Sequence, residues 1–376
     1  MRRFPGHAVT SRQMALGAGV IGLIGCALGA WLDRAVFFQG WLVTWLFLLG
    51  IALAGMAHVM IHELTGGDWG RVLRRPLEAV TLTLPLLALL AVPLAFGLPD
   101  LFAWARPDDV AKSASMQARA WYLAPAPFLV RNAALLLLWS LLGVAMVRRA
   151  NAPGGAERAR HVAVPGLLIY LLTVTIAAFD WVAALVPGWS STAVGVRLGT
   201  AQFLASLAFA VVFVVVRDRR EVSVLPARDC QDFGNLLLTY AMMWAYIAFT
   251  QYLIVWSEDL PRETLWFWPR AATSWRWLVI VVVALEFALP VAAMLFRRIK
   301  RNPLALGVVC ALVLIGQWLD ALWLVAPSLR PQGFELHLLD FAALVGMGGI
   351  WLYAVLRIAE RLPAARASNG LVTAHA

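Results

Sequence analysis

Charge is what this chain has least of. Charged residues make up 14% of its 376, against roughly 25% in a soluble domain. With 62% hydrophobic residues and a mean hydropathy of +0.77, the chain cannot clothe a globule in polar side chains, which excludes a water-soluble fold. Cysteine is nearly absent. Cys26, Cys230 and Cys310 lie far apart, and no CxxC or CxxCH occurs. Covalent c-type haem and a cysteine-held iron–sulfur cluster are therefore not expected in this chain. Histidine is scarce too. His7, His161, His337 and His375 are terminal or interfacial, and His58 and His62 alone fall inside an apolar run. Those two share one helix face, whereas a bis-histidine haem takes its ligands from opposite sides of the ring. An intramembrane haem b is not expected either.

What the chain does have is ten long apolar stretches, roughly 14–32, 36–62, 79–97, 127–148, 162–186, 195–216, 231–256, 274–297, 304–326 and 337–357. Most have the roughly 17–25 residues that cross a bilayer as a helix. They are continuously apolar rather than alternating, so helices are favoured over a barrel. The expectation is an all-α integral membrane protein with about ten transmembrane helices. The first run holds Ala27 and Gly29 with no polar cleavage region after them, so it reads as a helix rather than a signal peptide. Residues 1–366 read as one polytopic domain and 367–376 as a short disordered tail. No internal repeat stands out.

The net charge of +10 suggests nucleic acid, but its distribution argues against that partner. With ten spans, the termini and every second connection share one side. That side holds most of the 31 basic residues, among them Arg2, Arg3, Arg12, Arg71, Arg74, Arg75, Arg148, Arg149, Arg217, Arg228, Arg297, Arg298, Lys300, Arg301, Arg357 and Arg361. This is the positive-inside pattern of a multi-pass membrane protein, and it puts both termini in the cytoplasm.

Ionisable groups inside the spans are costly and therefore candidates for function. Asp180 and Asp320 lie in the outer parts of the fifth and ninth spans, and Glu286 near the middle of the eighth. They are candidates for a proton path, although a carboxyl in a bundle also serves as a simple hydrogen-bonding partner. Arg131, Arg197 and Arg276 sit near outer helix ends. They either snorkel to the surface or pair with Asp180, Asp320 and Asp340 in a buried ionic network. Near the inner face His58, His62, Glu63 and Glu78 form a candidate proton entry patch, with a solvated helix end as the plainer reading. No third ligand joins the two histidines, so no metal site is assigned. On the seventh span Tyr246, Gln251 and Tyr252 are candidates for bonding a quinone or for gluing helices together. The segment from Pro99 to Pro125, with Trp104, Trp121 and Tyr122, is expected to pack on a partner or on the membrane interface.

One block is not generic membrane sequence. Thr250–Arg270, with Gln251, Trp256, Pro261, Glu263, Thr264 and Trp266, resembles a segment of the F subunit of bacterial alternative complex III, the quinol:cytochrome c oxidoreductase quinone-binding subunit 2. Asp259 stands where that pattern has Asn. Three further blocks are similar in the same order: His62–Ala79, Phe179–Trp189 and Gln317–Pro327. The resemblance spans His62 to Pro327. It implies a polysulfide-reductase-type (NrfD-like) membrane subunit of two four-helix bundles with flanking helices. Such a subunit carries no redox centre of its own. Its expected partners are a homologous membrane subunit, an iron–sulfur subunit and cytochrome c subunits, which hold the iron–sulfur clusters and haem. Quinol or quinone is the small molecule implied. The family pattern places Glu before Pro187 and His after it, where this chain has Val186 and Gly188, two polar groups fewer on a path out from Asp180. The alternative is a stand-alone transporter or proton channel. Paired helix breaks would mark one, but Pro85, Pro93 and Pro290 do not form a matching pair.

Overall fold

The computed structural model describes residues 5–221 and 225–363; the expected tail at 367–376 lies outside them. Among the described residues the regular structure is entirely helical, and ten helices are long and apolar enough to cross a membrane. They are α1 (Thr10–Leu32), α2 (Arg34–Thr65), α3 (Asp68–Phe96), α4 (Pro125–Asn151), α5 (Glu157–Leu185), α6 (Ala193–Arg217), α7 (Ala227–Glu258), α8 (Trp275–Leu295), α9 (Pro303–Leu329) and α10 (Leu338–Arg361). The protein is an all-α integral membrane protein.

Two four-helix bundles account for most of the packing. In the first, α2 packs on α3 and α5, and α4 packs on α3 and α5. In the second, α6 packs on α7 and α9, and α8 packs on both of them. The leading helices of the bundles, α2 and α6, lie against each other at the centre, and α2 is buried along almost its whole length. The expected two-bundle arrangement is therefore present, with α1 and α10 flanking it. A correspondence between the halves emerges that is hard to see along the chain. The closing helices α5 and α9 carry Asp180 and Asp320, each seven residues before a proline, Pro187 and Pro327.

Several boundaries differ from the hydropathy pattern for local reasons. Helix α3 starts at Asp68 rather than near 79, because a polar amphipathic stretch continues it beyond the apolar run. It turns at Leu82–Thr83, where Pro85 cannot donate to the Thr81 carbonyl. The Thr83 hydroxyl bonds the Val80 carbonyl at 2.6 Å and accepts from the Trp351 indole at 2.8 Å. The segment between α3 and α4 is a chain of short helices. Its Trp104 is buried against Phe102 and Phe128, at 4.8 and 4.9 Å, so this part belongs to the core of the first bundle. Trp121 beside it stays exposed.

Helix α1 is held chiefly by α10, through glycines. Gly19 faces the backbone of Gly349 and Ile350, and Gly22 faces that of Gly346. Without side chains the two backbones approach closely, as in other small-residue helix pairs in lipid. Gly22→Leu is expected to unseat α1 and lower stability by about 1–3 kcal/mol. Gly17, which faces open space, should accept Leu without loss. Thermal unfolding of the two variants in detergent checks this.

Candidate functional site

The buried charges sort into clusters with different states of completion. In the first bundle, Arg131 clamps Asp180 with two hydrogen bonds, Nε to Oδ2 at 2.9 Å and Nη2 to Oδ1 at 2.7 Å. Asn132 donates to the same carboxylate at 2.8 Å and accepts from the Trp181 indole at 2.7 Å. Tyr122 lies 3.7 Å from the Arg131 guanidinium, ring against cation. Its hydroxyl pKa is pushed up to about 12 by burial and then by the Asp180 charge. Both Asp180 oxygens are bonded, and the following segment runs to Val186 and to Gly188, whose φ of 88° places it in the region glycine favours. Asp180, expected on a proton path, thus has both oxygens held by Arg131 and Asn132, and the chain beyond it is apolar as far as Val186.

The Asp320 site of the second bundle is less complete than the Asp180 site. Arg197 donates from Nη2 to Asp320 Oδ1 at 2.7 Å, but its Nη1 is buried with no hydrogen-bond partner among the described residues. On the neighbouring helix, Glu286 accepts from Gln317 Nε2 through Oε2 at 2.6 Å, and its Oε1 is buried without a hydrogen-bond partner among the described residues. Gln317 and Asp320 are one turn apart on α9, so Glu286 and the Arg197–Asp320 pair form one cluster. The backbone explains how a carboxyl is carried here. Residues Ala284–Ala288 form a π-helical turn. Pro290, which lacks an N–H, cannot bond the Glu286 carbonyl, and the widened turn accommodates that loss.

Asp340 was expected to share the arginines of this outer region. It pairs instead with Arg330, at 2.8 and 2.9 Å, and also caps α10 by accepting from His337 N at 3.0 Å. Arg330 further donates to Gln39 on α2 at 2.7 Å, so this pair ties α9, α10 and α2 together. Arg276 is exposed, 5.2 Å from the Trp277 ring. It takes the snorkelling alternative, being at the outward-facing start of α8.

The expected entry patch at the basic end divides in two. Arg74 holds Glu78 at 2.7 Å and Glu63 at 3.0 Å, and Asn151 donates to Glu78 at 2.9 Å. Both carboxylates thus pair with one cation, although Glu63 Oε1 makes no hydrogen bond among the described residues. His62 turns to the Gly67 carbonyl at 3.2 Å and packs on Trp69. His58 is fully buried. It is hydrogen-bonded through Nδ1 to Ala54 O at 2.8 Å and surrounded by Phe203, Tyr240 and Trp69. Among the described residues no three His, Cys, Asp or Glu side chains gather as metal ligands. On α7, Gln251 is buried and donates to Ser191 at 3.2 Å. Tyr246 and Tyr252 are 67% and 51% exposed on the outer surface of the helix. They do not join Gln251 in a common polar network, because Gln251 points into the protein while both tyrosines are exposed.

Sequence reasoning passed over Arg270. It is buried between α8 and α9 and bonds the carbonyls of Trp266, Trp323 and Leu324, at 2.6, 3.1 and 2.6 Å, and the Ser328 hydroxyl at 3.0 Å. The signal was Pro327, four residues after Trp323, which leaves that carbonyl without its helical donor. Burial and then the Arg197 charge hold the Arg270 guanidinium well below its ordinary pKa.

Comparison of the chain with protein-family models returns no match, and comparison with curated proteins returns none either.

Proposed function

We propose that this chain is a membrane subunit, without a redox centre of its own, of a quinol-oxidising respiratory complex of the alternative complex III type. In this reading it sits in a bacterial inner membrane with both termini in the cytoplasm. It packs beside a homologous membrane subunit, an iron–sulfur subunit and cytochrome c subunits that carry the electrons. Its second bundle conducts protons. The observation that carries the reading is the buried cluster of Arg197, Asp320, Glu286 and Gln317, in which one carboxylate oxygen and one guanidinium nitrogen have no hydrogen-bond partner among the described residues. A titratable group held in lipid with spare bonding capacity suits proton transfer, whereas a closed pair such as Arg131–Asp180 suits bracing. The packing of the resembling blocks lends further support. Trp189 donates to Glu263 O at 3.1 Å and stacks on Trp266 at 5.2 Å. Trp266 meets Trp323 at 5.2 Å. Three of the four blocks therefore meet at one place.

The test is purification of the tagged chain from native membranes in mild detergent, with a reduced-minus-oxidised haem spectrum and mass spectrometry of what accompanies it. Haem c, an iron–sulfur subunit and a second polytopic subunit are the expected companions. A colourless, solitary protein in several detergents contradicts the reading and favours a stand-alone transporter.

A further inference from the structure

Beside the Arg197–Asp320 pair lies a group of side chains that, Arg197 apart, the proton relay does not use. Trp323 is at its centre. The Trp323 ring lies 5.2 Å from that of Trp266, 5.3 Å from the Arg197 guanidinium and 5.5 Å from that of Arg270. Arg270 also sits on the Trp266 face at 3.5 Å, and Trp189 stacks behind Trp266. Arg197, Arg270, Trp266 and Trp323 are each more than nine-tenths buried.

The hydrogen bonding of this group is out of balance. Arg197 Nη1, Trp266 Nε1 and Trp323 Nε1 are buried donors with no acceptor among the described residues. The nearby carbonyls of Trp266, Trp323 and Leu324 already receive Arg270. Among the described residues the one unpartnered acceptor in the neighbourhood is Glu286 Oε1, so donors exceed acceptors. The positive charge is unevenly met as well: Asp320 bonds only Arg197, the Glu286 carboxylate of the same cluster bonds Gln317, and Arg270 bonds no carboxylate among the described residues. A buried donor left unsatisfied costs about 1–3 kcal/mol. A water molecule is a poor remedy, because it brings two hydrogens of its own into a site already short of acceptors. A species that only accepts, and carries negative charge, answers both imbalances.

We propose that this cluster binds a small inorganic anion of the halide class, held by Arg197 Nη1 and the indole N–H groups of Trp266 and Trp323, with Arg270 as the second positive charge. The site does not depend on the respiratory reading, since it is defined by donors and charge alone. The same anion relieves both the burial of the Arg270 charge and its repulsion by Arg197.

The experiment is equilibrium binding of radiolabelled chloride to the full chain in detergent, at constant ionic strength with gluconate as the replacing anion. Saturable binding at a single site, displaced by bromide and not by gluconate, is the expected result. Trp266→Phe and Trp323→Phe keep the ring and remove the N–H. Each should weaken chloride binding about tenfold, the worth of one hydrogen bond to a charged group. Trp104→Phe removes an equally unpartnered indole N–H in the first bundle and should leave chloride affinity unchanged. Absence of saturable chloride binding by the parent chain overturns the proposal without recourse to any variant. So does unchanged affinity in folded Trp266→Phe and Trp323→Phe proteins.

Discussion

Arg330→Met is expected to destabilise the protein by about 3–5 kcal/mol, the usual cost of leaving a buried charge without its partner. Arg330 makes two bonds to the fully buried Asp340, one to Gln39 on α2 and one to the Glu335 carbonyl. Truncation removes all of them and strands a carboxylate among α2, α9 and α10. Methionine fills much of the same volume, so the loss is electrostatic rather than a cavity effect. Replacing both partners, Arg330→Met with Asp340→Asn, should recover most of the stability. Asn still caps α10 by accepting from the His337 N–H, and no charge is left unpaired. Thermal unfolding in detergent of the single and double variants measures this. If the double variant is as unstable as the single, the ion pair is not what the arginine contributes.

Glu286→Gln is expected to act the other way round, with little change in stability and a loss of proton-coupled turnover of more than tenfold in the assembled complex. Gln keeps the shape of Glu286 and an oxygen to accept from Gln317, so the packing against α9 persists. It cannot release or take up a proton, and general acid–base groups of this kind contribute on the order of 10²–10⁴-fold where proton transfer limits the rate. Asp180→Asn, in the corresponding closing helix of the first bundle, is expected to reverse the pattern. It weakens the clamp of Arg131 and Asn132 and so costs stability, while proton-coupled turnover of whatever folds is retained. Quinol oxidation rates and unfolding temperatures of both variants, measured side by side, separate a relay from a brace. Equal loss of turnover in the two would remove the distinction between the bundles.

The sequence carried much of this layout. Continuous apolar runs gave ten spans, and the depth of Asp180, Asp320, Arg131 and Arg197 within them was enough to anticipate two of the ion pairs. Depth says nothing about lateral neighbours, and this is where expectation failed. Arg276 has the same depth as Arg131 but sits on the outward face of α8, while Asp340 is claimed by Arg330, which hydropathy places in a connection. Glu63 and Glu78 are near each other as expected, yet both serve Arg74, an arginine one turn from Glu78 on α3. Arg270 went unnoticed because its acceptors are mainly backbone carbonyls, and these carry no residue-type signature apart from Pro327. The π-helical turn at Glu286 had a similar marker in Pro290, read along the chain only as a possible break.

The most direct test of a proton path in the second bundle is the number of protons released per electron by the purified complex in proteoliposomes, for the parent and for Glu286→Gln. A parent count above what quinol oxidation itself frees, falling to that chemical value in the variant, is the predicted result. A parent count already at the chemical value, or one that Glu286→Gln leaves unchanged, contradicts the account.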